Sequence, residues 1–291
     1  MKSEDTIVTT CKLCPLSRHE KILVATDGSR YSEKALDGAV NIARKCGSSL
    51  YVLNVVELNP EFMALAPEAV EKMERDSRAL LEGIRERVSQ KGIKCETLVH
   101  EGEQPYEFIV GEAKKKKADV IVIGSHGKTG LKRLLMGSVA ARIIGHAPCP
   151  VMVIPLRGPV GLKNVLVATD GSAYSESAVN EAISIAAACD SKLSAVCVVK
   201  GERPAKYRTE AEKIVDKIVK RAAKSNIQAE GIVREGEPYE VIVDLAREIK
   251  ADIIIMGKYG RTGLTKLLMG SVTKRVIGHT PCAVLVVPGS V

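Results

Sequence analysis

Tryptophan is absent from this chain of 291 residues, phenylalanine occurs twice, and aromatic residues make up only 3% of it. So few rings leave little with which to stack bases. The formal net charge is +8, but the positive residues are scattered along the chain. No nucleic-acid partner is expected from that pattern. The longest basic run, Lys114 to Lys117, has Arg247-Glu-Ile-Lys250 as its counterpart and reads as a solvated helix end. No apolar stretch approaches membrane-spanning length, and Met1-Lys-Ser-Glu-Asp-Thr6 lacks the basic and apolar regions of a secretory signal. A soluble, cytoplasmic protein with no membrane partner is expected. Glutamine and asparagine are also scarce beside many Lys and Glu, a thermophile-like composition.

Six of the eight cysteines (Cys46, Cys95, Cys149, Cys189, Cys197 and Cys282) fall in or beside expected elements and read as small buried apolar residues. The other two form Cys11-Lys-Leu-Cys14, near His19. A lone pair at this spacing supplies two zinc ligands where a closed structural site needs four. Metal binding, a redox or disulfide role and an inert tail stay open for this pair, and no metal site is assigned.

What the chain does contain is itself, twice. Lys21-Ile-Leu-Val-Ala-Thr-Asp27-Gly-Ser29 matches Asn164-Val-Leu-Val-Ala-Thr-Asp170-Gly-Ser172, and Pro105-Tyr-Glu107 matches Pro238-Tyr-Glu240. A period this long marks a duplicated domain. The units are expected at residues 19–156 and 162–291, after an N-terminal extension over 1–18, with a joint in Leu156-Arg-Gly-Pro-Val-Gly161. The first unit carries extra residues between Val56 and Cys95. Their apolar members Phe62, Met63 and Leu65 suit a lid, an interface filler or a packed helix start.

Strands are expected in the first unit at Lys21–Thr26, Leu50–Val55, Lys94–His100, Asp119–Ile123 and Pro150–Ile154. Between them run helical patterns. One places Leu36, Ala39, Val40 and Ala43 on a face, and its copy places Val179, Ala182, Ile183 and Ala186 in the same register. A later pattern would bury Met73, Leu80, Ile84 and Val88, with Ile214, Ile218 and Ala222 as its copy. Nearly continuous apolar strands alternating with amphipathic helices predict an α/β protein of two tandem doubly wound, five-stranded parallel-sheet domains.

In each unit a glycine loop leaves the end of the fourth strand. Gly124-Ser-His-Gly127, nine residues, then Gly137-Ser138 recurs as Gly257-Lys-Tyr-Gly260, nine residues, then Gly270-Ser271. Such a loop presents backbone N–H groups and the positive end of the following helix to an anion. Ligands of doubly wound sheets lie beyond the strand C-termini, where Asp27 and Asp170 also end their first strands. Each Asp can contact a ligand hydroxyl or amino group, or it can cap the turn into the next helix. The P-loop pattern fails because Val122 stands where its first glycine belongs, and no G-x-G-x-x-G follows the first strand.

With these residues the chain resembles a tandem universal stress protein of the ATP-binding branch, whose G-x2-G-x9-G-[ST] signature is met twice. Ala147-Pro-Cys-Pro-Val151 and Thr280-Pro-Cys-Ala-Val284 add to the likeness. The resemblance implies a strand order of 3-2-1-4-5 and ATP or AMP as ligand, with Mg2+ accompanying ATP. It implies Asp27 and Asp170 beside the adenosine, backbone at Val55 and Val198 reading adenine, and the loop glycines with Ser138 and Ser271 holding ribose and phosphates. The implied set is completed by Ala25, Thr26, His126, Gly130 and Val139 in the first unit, and by Ala168, Thr169, Tyr259, Gly263 and Val272 in the second. It implies as well that the units pair through their last strands, with a homodimer of chains as a further expectation and no protein partner identified.

The loops are not chemically identical: Tyr259 replaces His126 and Arg261 replaces Lys128. His126 is the one candidate general base, and Tyr259 cannot substitute for it near neutral pH. His146 and His279 match each other and read as structural. No catalytic residue is assigned. A regulatory binding module is therefore the favoured expectation, with a slow ATPase or AMP-forming enzyme as the alternative.

Overall fold

The computed structural model describes residues 20–127, 136–201, 203–261 and 268–289. The first half runs β1 (Lys21–Ala25), α1 (Arg30–Cys46), β2 (Ser49–Glu57), α2 (Pro60–Leu65), α3 (Pro67–Ser89), β3 (Cys95–Gly102), α4 (Pro105–Lys116), β4 (Val120–Gly124), α5 (Ser138–His146) and β5 (Val151–Ile154). The second runs β6 (Asn164–Thr169), α6 (Ala173–Cys189), β7 (Lys192–Val199), α7 (Ala205–Ala223), β8 (Ala229–Glu235), α8 (Pro238–Glu248), β9 (Ile253–Gly257), α9 (Ser271–His279) and β10 (Ala283–Val287).

Local chemistry sets the helix ends. Ser29 and Ser172 cap α1 and α6 by accepting from the N–H groups of Ser32 and Ser175. After α1 the chain turns through Gly47 at φ 69°, and after α6 through Asp190 at φ 49°. Proline opens α3, α4 and α8, where its missing N–H has no helical partner to lose.

The strands form one sheet of ten in the order β3-β2-β1-β4-β5-β10-β9-β6-β7-β8. Each half is parallel throughout in the order 3-2-1-4-5. The halves meet where β5 and β10 pair antiparallel, Val151 opposite Val286, Met152 opposite Leu285 and Val153 opposite Val284. These central strands are buried along their whole length, so the joint between halves is itself core. Each sheet face carries a large hydrophobic core that continues from half to half, and a smaller cluster of Cys197, Val199, Ala211 and Val215 lies between β7 and α7. Among the described residues no helix is long and apolar enough to cross a membrane.

The segment joining the halves is tightly seated. Gly158 has φ 118°, and a Cβ built on it would lie 2.0 Å from the Pro281 carbonyl oxygen. Across the same seam Lys258 Nζ donates to the Gly145 carbonyl at the end of α5, and the Leu268 side chain covers Gly145.

Three expected helix faces are rotated in part. On α3 the buried stripe is Ser77, Leu81, Ile84 and Val88, while Met73 is 38% exposed and Leu80 only half-buried. The face that holds Met73 and Leu80 turns toward a cavity rather than the sheet. On α7 the stripe is Ala211, Val215, Ile218 and Ala222, with Ile214 half-buried. On α6, Ile185 is fully buried and Ile183 only partly. Within the extra segment, Met63 and Leu65 of α2 point to solvent, Leu65 at 85% exposure, so neither packs as a helix start. The Phe62 side chain, Cys11, Cys14 and His19 lie outside the described residues.

Candidate functional site

The strand order reverses direction between β1 and β4 in one half and between β6 and β9 in the other, and a crevice opens beyond the C-terminal ends of each pair. The first is a cavity of about 790 Å³ whose lining includes Ala25, Thr26, Asp27, Val55, Gly124, His126, Gly127, Gly137, Ser138 and Val139. The second, about 430 Å³, is lined by Ala168, Thr169, Asp170, Val198, Gly257, Tyr259, Gly260, Gly270, Ser271 and Val272, among others. Of the residues expected at the sites, Gly130 and Gly263 lie outside the described residues, as does Lys128.

Each aspartate holds its turn together. Asp27 Oδ1 accepts from the Ser29 N–H at 3.0 Å, and Asp170 Oδ1 accepts from the Ser172 N–H at 3.0 Å. The turn-capping reading is thus met. The other oxygen of Asp170 does something further: it accepts from the Arg261 N–H at 2.7 Å and so ties the glycine loop to the end of β6. Burial alone would raise the Asp170 pKa, but hydrogen bonds from Ser172, the Arg261 N–H and Ser175 outweigh it and hold the carboxyl below the ordinary 3.8. Beneath the aspartates lies a hydroxyl network that sequence reasoning missed. Thr26 Oγ1 donates to Ser32 Oγ at 3.1 Å while accepting from the Gly28 N–H, and Thr169 and Ser175 repeat the contact at 2.9 Å. The signal was present, because Asp-Gly-Ser-x-x-Ser occurs in both halves.

The three signature glycines have three different surroundings. A Cβ on Gly124 or Gly257 would lie 2.8 Å from the backbone of Tyr31 or Tyr174, where the strand end passes the first turn of α1 or α6. A Cβ on Gly127 or Gly260 would lie 2.8 Å from Asp27 or Asp170 Oδ2; neither residue has positive φ, so what glycine permits here is close approach of the carboxylate. At Gly137 and Gly270 the nearest atoms among the described residues stand at 3.6 and 3.5 Å, ordinary contact distances. Among the described residues no contact requires a glycine there.

These last glycines are the N-caps of α5 and α9, and neither cap makes a side-chain hydrogen bond to the helix. The first N–H groups of both helices therefore stand at the crevice with no capping side chain from the N-cap residue, in the positive field of the helix end. The nine-residue span is pinned at its base, because the Gly137 N–H donates to Ser125 O at 3.0 Å and the Gly270 N–H to Lys258 O at 2.9 Å.

His126 Nδ1 lies 3.1 Å from Ser125 Oγ, and its ring is 5.1 Å from that of Tyr31. Tyr259 packs edge-on to Tyr174 at 5.6 Å. His146 and His279 are well away from this chemistry, each against a tyrosine ring, Tyr106 or Tyr239, on the neighbouring helix. Cys149, Cys197 and Cys282 are buried, while Cys46, Cys95 and Cys189 are half-buried. Among the described residues no group of three His, Cys, Asp or Glu is arranged to hold a metal ion.

Two stretches of the chain, residues 19–155 and 161–288, each match the model of the Universal stress protein family. A universal stress protein of Methanocaldococcus jannaschii is 40% identical over 141 residues, 47% of this chain and 82% of that protein. One from Bacillus subtilis is 33% identical over 147 residues, 46% of this chain and 97% of its own length. Among solved structures, a universal stress protein from Archaeoglobus fulgidus aligns over 93% of this chain and 99% of its own, with TM-score 0.75 and 21% identity, a likeness of fold.

Proposed function

This chain belongs to the universal stress protein family, and we propose that it is a regulatory module binding one adenine nucleotide in each half, in units spanning 19–156 and 162–291. The observation that carries this reading is the pair Gly137 and Gly270. Each is a glycine that packing among the described residues leaves unexplained, at a helix N-terminus whose N-cap has no side chain, opposite an aspartate in a crevice. A missing Cβ there lets a phosphate come close enough to accept from the N–H groups of Ser138 and Val139, or of Ser271 and Val272. The donor set suits a phosphate: backbone N–H groups, a serine hydroxyl and a helix dipole.

In this reading Asp27 and Asp170, with Thr26 and Thr169 beneath them, hold the floor of the crevice. Backbone at Val55 and Val198, on the ends of β2 and β7, faces the base. These groups bind a ground-state phosphate and its transition state about equally, which does not accelerate hydrolysis. His126 gives way to Tyr259 in the other half, so a base shared by both sites is not part of the arrangement. Turnover far below the ~10 per second typical of enzymes follows.

Calorimetry on the nucleotide-free chain tests this. Two sites for ATP or AMP are expected. Gly127→Val should abolish binding in the first half only and Gly260→Val in the second only, with the far-UV spectrum unchanged. A folded chain that binds neither nucleotide overturns the proposal. The enzymatic alternative is separated by a single-turnover assay with labelled ATP, in which turnover near ten per second, lost in His126→Ala, would decide for catalysis.

A further inference from the structure

The two crevices are not chemical copies. β2 and β7 are equivalent strands, and two residues beyond Val55 the first crevice is lined by Glu57, while two residues beyond Val198 the second is lined by Lys200. Just after Lys200 comes Arg203, which also lines the second cavity, donates to the Lys200 carbonyl at 3.1 Å and lies over the Tyr207 ring. In the first half that stretch of chain is occupied by the approach to α2, whose described residues do not reach the cavity. Two further pairs are alike in charge. Lys128 stands opposite Arg261 in the repeat. Asp76 stands opposite Glu210, as the matching buried stripes of α3 and α7 require.

The result is a difference in charge at the rim, Glu57 on one side and Lys200 with Arg203 on the other. Among its described residues the first cavity is lined by the carboxylates of Asp27, Glu57 and Asp76 and by no Lys or Arg. The second is lined by Lys200 and Arg203, beside Arg261 and Arg275, which the repeat matches with Lys128 and Arg142, and by Asp170 and Glu237. Glu237 is shared between Lys200 at 3.6 Å and Arg275 at 3.3 Å, and Arg261 is paired with Glu210 at 2.9 Å, so Lys200 and Arg203 are the cations that distinguish this rim. A second contrast lies on the wall between strand and helix. The first half has a buried polar pair, Ser77 Oγ donating to Asn54 Oδ1 at 2.7 Å, with Asn54 bonded in turn to the Thr26 carbonyl. Cys197 and Ala211 hold those places in the second.

Building on the nucleotide reading above, we propose that the halves take different classes of ligand. The second half is the site for a nucleoside polyphosphate, and the first is a site for a nucleotide of lower charge. ATP carries about two more negative charges than AMP near neutral pH. A wall charge within a Debye length of the phosphate chain acts on it without a direct contact. Reversing one wall charge at ~8 Å from those two extra charges, with partial solvent screening, is worth about tenfold in affinity.

The test uses the full chain with one site closed at a time, by Gly127→Val or Gly260→Val, and measures ATP and AMP affinities by calorimetry in EDTA. The ratio of ATP to AMP affinity should be at least about tenfold higher in the second half. Lys200→Glu should lower that ratio and Glu57→Lys should raise the ratio of the first half, each residue being exposed and outside the core. Added Mg2+, which offsets phosphate charge, should raise ATP affinity more in the first half. Equal ratios in both halves that neither charge reversal moves would overturn this inference and leave nucleotide binding intact. Absence of ATP and AMP binding in both halves of the folded chain would remove the functional reading on which it rests.

Discussion

Replacing Gly260 with alanine tests how the glycine loop of the second half is held. The new Cβ would stand 2.8 Å from Asp170 Oδ2, whereas carbon and oxygen in contact settle near 3.4 Å. Loop and carboxylate must separate by about 0.5 Å, and the 2.7 Å bond from the Arg261 N–H lengthens beyond useful range. A hydrogen bond to a charged acceptor is worth about 1.5–3 kcal/mol. The carboxylate is partly solvated, so about 1 kcal/mol is the reasonable expectation. Two readouts follow. The Arg261 amide should exchange with solvent about fivefold faster, the equivalent of that energy. Nucleotide affinity should fall in the second half and stay unchanged in the first. Asp170→Asn removes the charged acceptor, so in its background Gly260→Ala should add little, a non-additive pair. If Arg261 keeps its protection and the two substitutions add in full, the aspartate does not tether the loop.

Three further outcomes are expected. Gly158→Ala forces a Cβ against the Pro281 carbonyl at a φ of 118°, and should destabilise the chain by about 2–4 kcal/mol in urea denaturation, where a neutral effect would contradict the tight seam between halves. Because hydrogen bonds depress the Asp170 pKa below 3.8, its stabilisation is complete above that pH and is lost as pH falls through the lower folded value; Arg261 amide protection should decline only in that acid range, and Asp170→Asn should flatten the decline. Burial pushes the thiols of Cys149, Cys197 and Cys282 up to about 12, 11 and 11, so a thiol reagent at pH 8 should label them only after unfolding, and rapid labelling of the native chain would contradict their burial.

The fold was legible because the chain states it twice. A strand read from Lys21-Ile-Leu-Val-Ala is confirmed by its own copy at Asn164, and both lie at the centre of their halves. The α1 face was legible for a related reason: Leu36, Ala39, Val40 and Ala43 sit on a helix that covers the sheet squarely. Reading failed on α3, where an apolar residue can line a cavity as well as a core. Met73 and Leu80 carry the same periodic signal as Ile84, yet they face a crevice. Periodicity records which side of a helix avoids water, and it does not distinguish packed protein from a recess.

The site was legible in its glycines but not in what each glycine does, since one letter covers three physical reasons. Gly124 makes room for backbone, Gly127 for a carboxylate, and Gly137 for nothing that the described residues supply. Where the halves agree, as in Asp-Gly-Ser-x-x-Ser, the repeat could have revealed the hydroxyls beneath the aspartates. Where they differ, it conceals. Asn54 has Cys197 as its counterpart, Ser125 has Lys258, and Glu57 has Lys200, so none of these is reinforced by a copy. Those unmatched positions bear on the site in three ways: Asn54 and Cys197 form its side wall, Glu57 and Lys200 set the charge at its rim, and Lys258 ties the second loop to the end of α5. A duplicated chain keeps in common what builds each crevice, and distinguishes its crevices with the residues that the repeat does not share.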